Sequence, residues 1–228
     1  MSNLLAIETS SEACSVALRV SGKAREEHVH APRRHAELLL PAIQRLLAEA
    51  ELTLSALDAI AFGRGPGSFT SLRIGIGVVQ GLAWAAQRPV VPCSSLAAVA
   101  QDAHDRAGDA ASQVCVAVDA RMHEVFSAEF ERGPDGLARA ISEERVGPPS
   151  SLTFDASRTF IAAGSGFEQF AELQGGRDAA VTCIADAWPR AGAIARLAEA
   201  WLAHHDPLPA DQAQPVYIRD NVAVKPPS

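Results

Sequence analysis

Between residues 57 and 106 strand and helix signals alternate, and that order constrains the fold more than any other property of the chain. LDAIAFG (57–63) reads as a strand, 68–86 as a helix, PVVPC (89–93) as a short buried strand and 94–106 as a further helix. Ahead of them, residues 3–30 carry three strand signals, NLLAIE, ACSVALRV and KAREEHVH, the last two joined by a tight turn at Ser21-Gly22. A helix is expected over 33–50, where Leu39, Leu40, Ile43, Leu46, Leu47 and Ala50 recur at helical spacing and Leu38 and Ala42 widen the stripe. Pro41 removes one hydrogen bond there and should bend or restart the helix. An antiparallel opening followed by strand–helix–strand–helix order predicts a mixed α/β fold.

The second half repeats part of the first. LLAIETSSEACSVAL (4–18) and VCVAVDARMHEVFSA (114–128) each hold an apolar strand ending in a carboxylate, Glu8 or Asp119, then a polar turn and a second strand. Two similar domains are therefore expected, 1–105 and 106–228, with the boundary in the polar run QDAHDRAGDAASQ (101–113). Later, TFIAAGSGF (159–167) reads as a strand meeting a Gly-Ser-Gly turn. Pro189 opens a helix striped by Ile194, Leu197, Ala198, Trp201 and Leu202.

Two turns carry candidate chemistry. After Glu8 come Thr9, Ser10 and Ser11, whose hydroxyls and amides can hold a phosphate while the carboxylate orders a Mg²⁺ through water. The plainer reading is a turn capped by its own hydroxyls. At the second turn Asp119 is followed by Arg121, which can meet an anion or pair with Glu124 or a partner. The stretch GRGPGSFTSLRIG (63–75) lacks the lysine of a phosphate-binding loop and departs from the dinucleotide glycine spacing. It reads instead as a stiff turn with Ser68 capping the next helix and Phe69 entering the core; Arg64 and Arg73 could assist an anion at the helix start. Within that helix Gly75, Gly77 and Gly81 each cost roughly 0.5–1 kcal/mol against alanine. Such a helix is expected to pack closely, either inside its own domain or, with helix 33–50, against a partner chain.

The formal net charge of −7 over 228 residues argues against a chain that grips nucleic acid through its general field. No basic, apolar leader opens the sequence and no run approaches 18 uncharged apolar residues, so neither a signal peptide nor a spanning helix is expected. Cys14, Cys93, Cys115 and Cys183 lie far apart, without metal-site spacing, as in a reducing cytoplasm. His28, His30, His35, His204 and His205 assemble no ligand set, and Cys93, Ser94 and Ser95 lack a recognisable base.

Taken together, LLAIETSSEACSVAL, RHAELLLPAIQRLL, GRGPGSFTSLRIGIGVVQGLAWA, VDARMHEVFSA and the late PVYIR (215–219) resemble the bacterial TsaB (YeaZ) family of tRNA threonylcarbamoyladenosine biosynthesis proteins. The resemblance implies a two-domain actin-like, sugar-kinase and Hsp70-type ATPase fold with a duplicated unit, the second domain reduced. It implies a non-catalytic paralogue of TsaD: the metal-binding histidine pair of that enzyme falls at Ser95 and Val99 here. It implies partners, namely TsaD, the ATPase TsaE and a second copy of the chain, with tRNA reached only through the complex and no membrane. The complex moves a threonylcarbamoyl group onto N6 of adenosine 37 in tRNAs reading codons that start with A. No cofactor is implied on the isolated chain; ATP is used by TsaE, and a nucleotide at a shared interface stays open, with Thr9, Ser10 and Asp119 as weak candidates. The implied contact helices are 33–50 and 68–86, with Leu39, Ile43, Leu46, Ile74, Gly77, Val78 and Gly81 as interface residues. Family members usually carry glycine where this chain has Ser71. The alternatives are a small actin-like kinase using Glu8, Thr9 and Asp119 around ATP-Mg²⁺ and, last, a peptidase.

Overall fold

The computed structural model describes residues 2–155 and 157–219. Five strands form the first sheet: β1 (Leu4–Glu8), β2 (Ala13–Val20), β3 (Lys23–His30), β4 (Ala59–Gly63) and β5 (Val90–Cys93), in the order β3-β2-β1-β4-β5. The first three are antiparallel, and β4 and β5 run parallel to β1. The second sheet holds β6 (Gln113–Asp119), β7 (Val125–Arg132), β8 (Ala138–Ala140), β9 (Arg145–Gly147), β10 (Phe160–Ala163) and β11 (Thr182–Ile184). Its order is β11-β10-β6-β7-β8, with β9 also on β7; β6 to β8 are antiparallel and β10 and β11 parallel to β6. The mixed α/β fold expected from the element order is present.

Helices α1 (His35–Glu49) and α2 (Phe69–Ala86) cover one face of the first sheet; α1 continues through Pro41 without a break. Leu5, Ile7, Val16, Leu18, Ile60 and Phe62 meet Leu39, Ile43, Leu46, Ile76 and Val79 there, all buried. The opposite face is built from small residues, with Ala6, Ala17, Ala59 and Ala61 exposing nothing or nearly nothing. This lets a helix lie close against the sheet. The helix that does so comes from far along the chain.

Helix α3 (Ser95–Ala107) directly follows β5, yet its Leu96, Val99, Ala100 and Ala103 pack with Val114, Val116, Phe130 and Ile161 of the second sheet. After it come the short helices α4 (Gly166–Gln169) and α5 (Gln174–Ala179). The strand expected to meet a Gly-Ser-Gly turn is β10: it ends at Ala163, where Gly164 turns the chain at φ 101°, and α4 begins at Gly166. Helix α6 (Ala191–Leu202) then returns to the first sheet with Ala191, Ile194, Ala195 and Ala198. Its first amides are capped across the chain: Ala191 N donates to Ser15 Oγ (3.0 Å) and Gly192 N to Glu26 Oε1 (3.0 Å). A cut after residue 105 thus leaves α3 and α6 each lying on the other half's sheet.

At the rim, β3 is a mostly exposed edge strand carrying Lys23, Arg25, Glu26 and Glu27. The β5 edge is covered by Leu208, which exchanges two backbone hydrogen bonds with Val90 (2.7 and 2.9 Å).

The alanine face sets a sharp size limit. Ala61→Leu should lower stability by about 1–3 kcal/mol, read as a shifted urea midpoint. Ala85→Leu on the exposed side of α2 should stay within about 0.5 kcal/mol of the parent.

Candidate functional site

The glycine loop 63–75 lies directly on the first turn. Ser68 N donates to Ser10 O (2.7 Å), Thr9 Oγ1 to Ser71 O (2.9 Å) and Ser95 N to Gly65 O (3.0 Å). Three glycines are there for clearance: a Cβ on Gly63 would stand 1.9 Å from Glu8 Oε2, one on Gly67 2.4 Å from Ser10 O, and one on Gly75 2.2 Å from Thr9 Oγ1. Ser68 starts α2 as expected, but its side chain makes no capping bond and reaches Ser71 Oγ instead (3.1 Å). The Ser71 side chain is half-buried at the helix start and its carbonyl holds Thr9.

The same contacts close the first turn to a phosphate. Thr9 and Ser10 are 3% and 6% exposed, the Thr9 hydroxyl is spent on Ser71, and the Ser10 amide is spent on Glu8 Oε1. Glu8 is fully buried, and Ser95 Oγ donates to its other oxygen (2.7 Å). Burial pushes its carboxyl above the ordinary glutamate range, against the pull of the Ser10 and Ser95 hydrogen bonds. A carboxylate held in this way is a brace under the loop and has no open side for a metal ion.

Arg64, a sequence candidate for an anion, is already paired. Its guanidinium forks onto Glu144 (3.0 and 3.2 Å), between β8 and β9. Ser94, which caps α3 by accepting from Ala97 N (3.0 Å), donates its hydroxyl to the same carboxylate. The anion at this helix start is therefore the chain's own glutamate. Ser95 and Val99 offer no metal pair: one hydroxyl is bound to Glu8, and Val99 is 1% exposed in the apolar core. Burial pushes the Cys93 thiol up to about 12, which removes it as a nucleophile near neutral pH.

At the second turn Arg121 answers the two readings left open for it. It pairs with Asp119 (3.0 Å) and reaches across to Glu12 of the first turn (2.6 Å), while Glu124 is taken by Arg219. Asp119 also accepts from the Arg121 amide (2.8 Å). Arg121, Met122 and His123 are all left-handed, at φ 62°, 56° and 58°. Each non-glycine residue in that region costs roughly 1–2 kcal/mol. The strain is held by Arg219 Nη2 donating to Ala120 O (2.9 Å), by Arg121 itself, and by a His123–Glu172 contact of 2.7 Å. Glu8, Thr9 and Asp119 thus do not converge as open ligands: one is enclosed, one is bonded and one is ion-paired.

The contact helices need a correction. Leu39, Ile43 and Leu46 are 0%, 2% and 3% exposed in the chain's own core, so they offer no side chain to a partner. The broad stripe of α1 is used internally because α1 packs on both β2 and α2. On α2 the outcome is the reverse. A Cβ at Gly77 or Gly81 would meet nothing within 4 Å, Ile74 and Val78 are half-buried, and Trp84 is 80% exposed. Phe69 also points outward rather than into the core, at 44% exposure. By length and composition alone α2 is apolar enough to cross a membrane, but its run is interrupted by Arg73 and Gln80, as the sequence showed. Its inner face, Leu72, Gly75, Ile76, Val79 and Ala83, lies against the sheet.

The residues beyond α6 were missed as part of this region. Gln80 Nε2 donates to Ala213 O (2.8 Å), Val216 N to Arg64 O (2.8 Å) and Arg73 Nε to Tyr217 Oη (3.0 Å), before Arg219 reaches the second turn. PVYIR was the available signal, since it shared the resemblance with the glycine loop that it touches.

Residues 29–224 match the family model described as TsaD: tRNA N6-adenosine threonylcarbamoyltransferase. The chain is 36% identical to the tRNA threonylcarbamoyladenosine biosynthesis protein TsaB of Escherichia coli, over 97% of this chain and 96% of that one. It is also 36% identical to the Haemophilus influenzae protein of the same name, over 97% and 95%. Among solved structures, YeaZ from Pseudomonas aeruginosa superposes with a TM-score of 0.85 at 43% identity, over 95% of this chain and all of that one.

Two outcomes follow from the turns. The folded chain holds the Glu8 proton more tightly than the unfolded chain, so stability should fall as pH rises from the ordinary glutamate range through the raised value. Glu8→Gln still accepts from the Ser10 amide, donates its Nε2 to Ser95 Oγ with that hydroxyl turned, and should match or exceed the parent's melting temperature at neutral pH, the gap closing in acid. Met122→Gly relieves one left-handed residue and should raise stability by up to about 1 kcal/mol, measured by urea denaturation.

Proposed function

The chain belongs to the bacterial TsaB (YeaZ) family, and on that premise we propose that it is the non-catalytic subunit working with TsaD and TsaE. In that reading the complex transfers a threonylcarbamoyl group to N6 of adenosine 37 in tRNAs reading codons that start with A. ATP is consumed by TsaE, tRNA is met through the complex, and the setting is the cytoplasm. Any nucleotide near this chain would lie at an interface shared with a partner.

The observation that carries the proposal is the outer face of α2. Gly77 and Gly81 lower helix stability by roughly 0.5–1 kcal/mol each and pack on nothing within the chain. Beside them lie Ile74, Val78 and the exposed Trp84. A helix from another protein can approach such a surface closely. We assign this face to TsaD and, in its absence, to a second copy. The contribution of α1 is restricted to its exposed side, Leu40, Pro41 and Gln44, in place of the buried stripe.

The matching strand orders, β3-β2-β1-β4-β5 and β8-β7-β6-β10-β11, support a duplicated actin-like unit, with 1–105 and 106–228 as the two copies and α3 and α6 exchanged between them. The kinase alternative needs open turns. Here the groups that would hold ATP-Mg²⁺ are spent on Ser71, Ser95, Arg121 and one another.

Purified with TsaD, TsaE, tRNA and threonylcarbamoyl-AMP, the chain should restore transfer that TsaD and TsaE alone do not perform, and should itself transfer nothing. Full transfer without it would end this reading. Replacing both Gly77 and Gly81 with leucine should leave the melting temperature equal or higher, because the sites are open and leucine favours helix. The same variant should sediment as separate species with TsaD.

A further inference from the structure

At the N-terminal end of the outer α2 face, three side chains from opposite ends of the sequence form one cluster. The Arg73 guanidinium carbon sits 3.9 Å from the Phe69 ring centroid and 5.9 Å from that of Tyr217. Its Nε donates to Tyr217 Oη (3.0 Å), and the two rings lie 5.3 Å apart, tilted by 35°. Phe69 and Tyr217 remain 44% and 45% exposed, and Arg73 is exposed beside them. Among the described residues Arg73 makes no ion pair, in contrast to Arg64 and Arg121 nearby.

The guanidinium is therefore fixed before any partner arrives. Its Nε is used by Tyr217, its guanidinium carbon lies over the Phe69 ring, and neither terminal nitrogen hydrogen-bonds to a described residue, while Tyr217 Oη accepts from Arg73 and keeps its own O–H to donate. Convergent donors in a fork suit one planar anion, a carboxylate. An exposed arginine on a flexible stem gains little from pairing, because ordering it and screening by salt consume the gain. Here the ordering is already done by contacts within the chain. Arginine and tyrosine with an aromatic neighbour at the edge of an apolar face are also the residue types that concentrate binding energy.

We propose that Arg73, oriented by Tyr217 and Phe69, is the specificity contact of the α2 face and receives an aspartate or glutamate side chain of the partner protein seated there. The proposal rests on the α2 reading above. A carboxylate is favoured over RNA because the chain as a whole carries a net charge of −7 and the cluster adjoins the apolar Ile74–Gly81 surface.

The test is association of the full chain with TsaD, measured by titration calorimetry from about 50 mM to about 500 mM salt. The parent should bind, more weakly as salt rises. Arg73→Gln should bind about tenfold more weakly at low salt and lose most of the salt dependence. Arg73→Lys should recover only part of the affinity, and Tyr217→Phe, which keeps the charge and the ring, should fall between lysine and the parent. Melting temperatures near the parent's would show that the variants are folded. If the parent binds and Arg73→Gln binds equally with the same salt slope, or if Arg73→Lys equals the parent, the assignment is wrong. A loss seen only in self-association would instead make a second copy the occupant, and a loss seen only in tRNA binding would make it RNA; either result overturns the proposal. If the parent does not bind TsaD at all, the α2 reading falls together with it.

Discussion

The close approach of one backbone to another beside Ser10 is the constraint on which the rest of the site depends. A loop that carried a side chain at Gly67 could not bring the Ser68 amide to the Ser10 carbonyl, and α2 would start elsewhere. With the approach made, α2 is fixed against the sheet and the Ser71 carbonyl holds Thr9, whose hydroxyl is thereby consumed. One steric condition thus sets two features at once: where the open helix lies, and that Thr9 and Ser10 beneath it are enclosed. Glu8 completes the arrangement from below, linking the turn to α3 through Ser95.

What the sequence made legible was local. Local pattern located the three opening strands, α1, α2 and α3 to within two residues at each end: β1, β2 and the helices bury apolar residues, and β3 is marked off by the Ser21-Gly22 turn. The glycine loop was legible as a turn because Pro66 and alternating glycines have few other uses. The partners of its charges were not. Arg64 finds Glu144 eighty positions away, and Arg121 finds Glu12 at a separation of 109. Nothing in the neighbourhood of either arginine encodes that distance. The stripe of α1 misled for a related reason: a helix contacting both a sheet and a second helix needs a wide apolar surface, which in sequence looks the same as a spare face for a partner. On α2 the glycines were themselves the trace: three in one helix marked places without side chains, Gly75 against Thr9 and Gly77 and Gly81 left open.

The two sheets are joined less by a linker than by exchanged helices and long-range pairs. Helix α6 brings residues from beyond the second sheet to the alanine face of the first, capped by Ser15 and Glu26. Helix α3 goes the other way. The segment 208–219 then crosses the molecule from the edge of β5 along α2 to the second turn, touching both halves with backbone and side-chain bonds. Neither half keeps a complete core without the other. The left-handed residues 121–123 are tolerated in this setting because Arg219 and Glu172 anchor the turn from outside it.

The charged outer strand β3 has a consequence for how such a chain can gather. One border of the first sheet carries lysine, arginine and glutamate along an exposed strand, and the other is occupied by Leu208. Neither border of this sheet welcomes another chain's strand, which disfavours its growth from copy to copy into a ribbon. The outer face of α2, with its open glycines and Trp84, is a surface of another kind: it offers a neighbour apolar side-chain contact and no strand to extend.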